Sequence, residues 1–235
     1  MMPMRSLALA LTALAAVGSH STRASEDPDA ESRARKSLEA SAQAYRRVPA
    51  LKDTLTYVIK TTAGTQPPKT LEVTLGANPD VGVKDALIEA IALQGMLYVT
   101  KRDAPDKYIA QPYSGDFAKS IEAVVGAQGW PIEPLQIAMR LGKGLDGWLK
   151  ALRFGQLGPL QISGYEEKKM KTRLVEAIHF AAENGGIEAD FDSKTHFLSR
   201  VLMRASPPGA PKDAFIEVMG EFSPSHCQPQ GASSF

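Results

Sequence analysis

The sequence predicts an α+β protein: a large curved antiparallel β-sheet, an unclosed half-barrel, with an N-terminal helix and a helical lid on its concave face. Three observations lead there. Two long tracts alternate apolar and polar residues with the period of half-buried strands, and a segment of helical spacing lies between them. A further helical pattern precedes the first tract. Turn signals at Gly95 and at "NGG", Asn184 to Gly186, mark tight hairpins within the tracts. An open sheet of that size must bury one face against something, and the helical segment supplies the cover.

Taken in order, residues 1–24 read as a secretory signal peptide: Arg5 as a short positive region, Leu7 to Val17 as an apolar run, then small residues up to a cleavage point after Ala24. The apolar run is too short to span a bilayer comfortably, so the exported product is expected to be soluble. "PDAESRARKSLEASAQAYRRVPAL" spaces Ala34, Leu38, Ala42 and Tyr45 as one helix face and stops at Pro49. "DTLTYVIKTT" and "KTLEVTLG" place Leu55, Tyr57 and Ile59, then Leu71, Val73 and Leu75, on the dry side of a hairpin turned at "AGTQPP". "VKDALIEAIALQGMLYVTKRD" reads as a strand, a turn at Gly95 and a second strand through Leu97, Tyr98 and Val99. "DKYIAQPY" is a further short strand closed by Pro112.

The period then changes. "GDFAKSIEAVVGAQG" sets Phe117, Ile121 and Val124 on one helix face, with "PIEPLQIAMRLGKG" and "LDGWLKALRFG" as two more short helices. Leu135, Met139, Leu145, Trp148, Leu149 and Leu152 give them more apolar surface than a solvated helix needs; they cover either the sheet's core or a cavity that a ligand enters. Alternation returns after Pro159. Leu174, Glu176, Ile178 and Phe180 point one way, against Val175, Ala177, His179 and Ala181. After the next turn Phe197, Ser199, Val201 and Met203 oppose Leu198, Arg200, Leu202 and Arg204.

Composition excludes several functions. The chain has 235 residues, enough for one sizeable domain, here residues 25–223 between the signal peptide and a disordered tail at 224–235. Loss of Arg5 and Arg23 with the signal peptide takes the net charge from +1 to −1, which offers no general attraction to nucleic acid or an anionic membrane face. Cys227 is the one cysteine, so no internal disulfide forms, and His226 beside it makes too small a set for a metal site. Asp190, Asp192, Ser193 and His196 come within seven positions, but Asp192 to Thr195 fill a β-turn whose exposed tip gives Ser193 no base and no oxyanion donors. His179 stands mid-strand on a half-polar face with no nearby Cys or paired carboxylate in sequence. No phosphate loop, zinc spacing or serine elbow occurs, so the chain is expected to be no enzyme and to need no cofactor or metal.

"ALQGMLYVTKRDAPDKYIAQPY", and later "SGYEEKKMKTRLVEAIHF" with "GIEADFDSKTHFLSRVLM", resemble the middle and later parts of the LolA-like superfamily of periplasmic lipoprotein carriers, nearest to its predicted periplasmic DUF2092 group. The likeness runs roughly from Ala34 to Phe222. It implies an unclosed barrel with a helical lid over an apolar cavity that holds acyl chains, in a periplasmic setting. The expected lining is Leu55, Tyr57, Ile59, Leu71, Val73, Tyr98, Ile178 and Phe180, closed by Leu135, Met139, Trp148, Leu149 and Leu152. Each methylene taken from water contributes about 0.8 kcal/mol, so a chain of ten binds without any polar motif. The expected partner is thus a lipid or acyl chain, with a periplasmic or outer-membrane protein besides. The other reading is a non-enzymatic interaction or sensor module whose cavity is filled by its own side chains.

Overall fold

The computed structural model describes residues 28–76, 80–113, 117–125, 135–141, 160–206, 209, 211 and 214–226. Helix α1 (Pro28–Arg47) comes first, with Asp29 and Glu31 in its first turn and Arg46 and Arg47 in its last, as the helix dipole favours. Ala30, Ala34, Ser37, Leu38, Ser41 and Tyr45 form its buried stripe. Seven strands follow: β1 (Leu51–Thr61), β2 (Gly64–Thr65), β3 (Lys69–Leu75), β4 (Val81–Lys84), β5 (Ile88–Leu93), β6 (Met96–Lys101) and β7 (Ala104–Pro112). After α2 (Phe117–Val125) and α3 (Leu135–Arg140) come β8 (Gln161–Met170), β9 (Arg173–Ala182), β10 (Gly185–Asp192), β11 (Leu198–Ala205) and β12 (Ile216–His226).

All twelve strands make one antiparallel sheet ordered β7-β6-β5-β4-β3-β1-β12-β11-β10-β9-β8, with β2 on β1 alone. The sheet does not close, because β7 and β8 are its two ends. The expected unclosed half-barrel is therefore what the chain forms. Its two halves are joined by β1 and β12, paired from Leu51↔His226 to Thr61↔Ile216. The chain between β7 and β8 has to cross from one end of the sheet to the other, which carries α3 against α1 and β3.

Several expectations need correction. The tract from Val83 to Leu93 is two strands, because the Asp85 carboxylate accepts the N–H groups of Leu87 (2.7 Å) and Ile88 (2.8 Å) and turns the chain between β4 and β5. The Gly95 hairpin is as expected: Gln94 (φ 51°) and Gly95 (φ 79°) are both left-handed, the geometry of a two-residue turn. In β11 the strict alternation fails. A register shift between Asp190 and Phe191 sets Asp190 opposite Arg200 but Phe191 opposite Leu198, so both Phe197 and Leu198 are buried. β12 also runs through Pro224, Ser225 and His226, three residues into the expected tail; residues 227–235, like the expected signal peptide, lie outside the described residues.

Candidate functional site: the concave face and its cover

Period-2 patterning directs one side of every central strand to the helices. Leu51, Leu55 and Tyr57 of β1, Leu71, Val73 and Leu75 of β3, Val81 and Val83 of β4, and Ile178 and Phe180 of β9 are all buried in one apolar cluster. Ile187, Ala189, Phe191, Val201, Met203, Val218 and Phe222 extend it across the second half of the sheet. The helices close over it: Ala34, Leu38 and Tyr45 from α1, Phe117 and Ile121 from α2, and Leu135, Ile137 and Met139 from α3.

Of the residues expected to line a cavity, Leu55, Tyr57, Leu71, Val73, Leu135, Met139, Ile178 and Phe180 are brought together here, with Ile59 half-buried at the margin. Tyr98 is not among them. On β6 it is Leu97 and Val99 that point inward, so Tyr98 stands on the convex face, 36% exposed, with its ring 5.9 Å from that of Tyr108. There it borders a depression of about 480 Å³ with Glu89, Ile91, Thr100, Lys101, Arg102 and Pro105. Trp148, Leu149 and Leu152 lie outside the described residues.

What the sequence did not single out is a set of polar side chains inside this apolar region. α3 presents Gln136 and Arg140, one turn apart, and both are buried. Arg140 donates from Nη1 to the carbonyls of Tyr45 (2.6 Å), Arg46 (3.1 Å) and Val48, and from Nη2 to that of Gly76 (2.8 Å). It thereby ties α3 both to the C-terminal end of α1, where carbonyls lack intrahelical partners, and to the end of β3. Gln136 Nε2 donates to Asp53 Oδ2 at 3.0 Å, and Ser41 Oγ to the Met139 sulfur at 3.3 Å. Asp53 Oδ1, Gln136 Oε1 and Arg140 Nε are buried and have no hydrogen-bond partner among the described residues.

Burial raises the Asp53 carboxyl above the ordinary aspartate value, and the Gln136 amide only partly opposes it. Tyr45 is pushed well above the usual phenol value by burial and by the Asp53 charge, while its hydroxyl accepts the Leu198 N–H at 3.2 Å. Asp53 could have been noticed in the sequence: it sits in phase with Leu51, Leu55 and Tyr57, an acid in the dry register of β1.

Charge on the opposite face is arranged differently. Lys168 of β8 lies 2.6 Å from Glu188 and 3.1 Å from Asp190 of β10, and Arg200 of β11 reaches Asp190 at 2.7 Å and also contacts Glu188. His179 stands between Glu166 (3.7 Å) and Glu188 (3.8 Å), carboxylates brought to it by the neighbouring strands β8 and β10. Asp190 is thus a structural ion-pair partner. Asp192 Oδ1 accepts the N–H groups of Lys194 (3.0 Å) and Thr195 (2.8 Å), as the turn reading required. Ser193 Oγ donates to the Leu174 carbonyl at 3.0 Å, so neither His196 nor Asp192 activates it. No group of three or more potential metal ligands occurs among the described residues, and no described helix is long and apolar enough to cross a membrane.

The chain is an open antiparallel sheet with a helix-covered apolar face, and solved structures of similar chain path exist. One is a chain of the Pseudomonas aeruginosa MucA/MucB complex, at 13% identity and a TM-score of 0.41, covering 84% of this chain and 59% of that one. The present chain therefore spans under two thirds of that relative's length. Others are LprF from Mycobacterium bovis, at 10% identity and 0.38 over 86% of this chain and 99% of that chain, and a LolA superfamily protein from Nitrosomonas europaea, at 7% and 0.32 over 84% and 94%. No protein-family profile and no curated protein sequence matches the chain. At these identities and scores its function has to be read from its own residues.

Proposed function

We propose that this is an exported, non-enzymatic binding or carrier protein of the periplasm, which takes a hydrophobic ligand, a lipid or acyl chain, against the concave face beneath α3. Residues Leu55, Tyr57, Ile59, Leu71, Val73, Leu135, Met139, Ile178 and Phe180 are the proposed lining, with Trp148, Leu149 and Leu152 as further cover. The observation that carries the reading is how α3 is held. Its three buried apolar side chains, Leu135, Ile137 and Met139, contribute about 1.5–3 kcal/mol each, or about 5–9 together. Ordering its six residues costs about 1–2 kcal/mol each for the backbone alone, or about 6–12. Apolar burial therefore only about offsets the ordering cost, and the polar contacts of Arg140 and Gln136 tip the balance. A cover held mainly by these few polar contacts can be displaced by an acyl chain, which supplies about 0.8 kcal/mol per methylene to the same apolar surface.

The test is native mass spectrometry of the protein purified from periplasm, followed by organic extraction and lipid analysis. A lipid at fixed stoichiometry is the expected result. A protein that is empty and also fails to take up a fluorescent probe with a plain hydrocarbon tail would overturn the reading in favour of a self-filled interaction module.

A further inference from the structure

Three polar atoms without hydrogen-bond partners among the described residues lie in an apolar part of the molecule: Asp53 Oδ1, Gln136 Oε1 and Arg140 Nε. Native proteins leave few such atoms, because an unpaired buried group bears the full cost of its lost hydration. The 3.0 Å contact from Gln136 Nε2 to Asp53 Oδ2 holds the first two together, since each orphan is the other oxygen or terminal atom of a group in that contact. Both are acceptors, one bearing formal charge, and both are fully buried. They sit on the central strand β1 and on α3, between the floor of the concave face and its cover.

We infer that the ligand of this face carries a hydrogen-bond-donating polar end, an ammonium before a hydroxyl and not a carboxylate, and that Asp53 and Gln136 receive it; this rests on the hydrophobic-ligand reading above. The electrostatics agree. The nearest formal negative charge is Asp53 itself, which would repel a carboxylate head. Arg140, one turn along α3 from Gln136, has its Nη1 and Nη2 donors already committed to the carbonyls of Tyr45, Arg46, Val48 and Gly76. Tyr45, the remaining titratable group beside Asp53, has its hydroxyl held by the Leu198 N–H. An ammonium offers three donors, enough for Oδ1 and Oε1 together, and neutralises the buried charge. A hydroxyl offers one donor, enough for only one of the two oxygens.

The experiment is competitive displacement of an apolar fluorescent probe from the purified chain at pH 7 by decylamine, decanol and decanoate, whose tails are matched. The expected order is amine first and carboxylate last, with decylamine effective at a concentration roughly tenfold below decanoate, a difference of about 1.4 kcal/mol. Asp53→Asn should bring the two within about threefold, and Gln136→Met should narrow the gap as well. The wild-type series decides the question even where a variant does not fold. If the probe binds but amine and carboxylate compete equally, or carboxylate wins, the head-group inference is overturned while the carrier reading stands; an enclosed water would then be the partner of the two oxygens. If the probe does not bind at all, the carrier reading fails first.

Discussion

Arg140→Met is the most informative single change to the cover of the concave face. The guanidinium makes four contacts to carbonyl oxygens, three of them at the C-terminal end of α1. Hydrogen bonds to a charged group contribute about 1.5–3 kcal/mol each, so the gross figure is about 6–12 kcal/mol. Burying a guanidinium gives back several of these, and the Arg46 and Gly76 contacts are only part-buried, so their carbonyls regain water in the variant. A net loss of about 3 kcal/mol remains, which for a chain of this size lowers Tm by about 6–12 °C. Thermal unfolding followed by circular dichroism reads the global loss. Hydrogen exchange separates the local part: the Leu141 amide, bonded to the Ile137 carbonyl at 2.9 Å at the end of α3, should exchange about a hundredfold faster. Arg140→Lys should recover no more than a third, because one ammonium cannot span the end of α1 and Gly76 as the planar fork does. An Arg140→Met protein within about 0.5 kcal/mol of wild type, with α3 exchange unchanged, would refute the clasp.

Two further predictions concern the rest of the sheet. Burial opposes ionisation of Glu188, yet Lys168, then Arg200 and His179, hold its carboxyl below the ordinary glutamate value of 4.5. Its contribution is therefore present above about pH 4.5 and is lost as the pH falls through the lower folded value, so Glu188→Gln should cost about 1–2 kcal/mol at pH 7 in urea unfolding and progressively less as the pH is lowered below 4.5. Gly185→Ala should be severe while Gly95→Ala is mild. A Cβ on Gly185 would meet the Arg204 carbonyl oxygen at 2.0 Å, costing about 3 kcal/mol or more, whereas one on Gly95 meets nothing within 4 Å and costs only the left-handed backbone, about 1 kcal/mol; parallel urea titrations compare them directly.

The sheet was legible in the sequence because alternation reports burial on one face, and hairpin glycines report register. It misled where local chemistry interrupts the period. The Asp85 turn divides one apparent strand, and the extra residue around Ser199 turns both Phe197 and Leu198 inward. Tyr98, expected in the lining, falls on the convex side, because its parity with Met96 and Thr100 sets it against buried Leu97 and Val99. The apolar lining on β1, β3 and β9 was legible for the same reason that the strands were. The polar set was not, because Asp53, Gln136 and Arg140 lie 83 and 87 positions apart along the chain and meet only once α3 is laid across the sheet.

The two faces treat charge in opposite ways, and the contrast bears on Asp53. On the convex side Asp190 is as buried as Asp53, but Lys168 and Arg200 stand against it. Asp53 has the Gln136 amide and the backbone N–H groups of Ser223 and Thr54 against it but no cation among the described residues, and burial still raises its carboxyl, so its charge works against the fold. The sign follows: with the folded carboxyl above its unfolded value of 3.8, Asp53 is favourable below that pH and becomes a liability as the pH rises through the folded value. Asp53→Asn keeps an acceptor for Gln136 Nε2 and adds a donor for Gln136 Oε1. Without ligand it should stabilise the protein by about 1–2 kcal/mol at pH 7, with the gain vanishing near pH 3. Saturating decylamine should reverse the ranking, because only the wild-type carboxylate gains a counter-charge and stabilisation by ligand scales with affinity. A variant that is less stable at pH 7 without ligand would show that the carboxylate belongs to the fold's own support; a variant more stable both empty and with decylamine would leave Asp53 with no ligand to explain it.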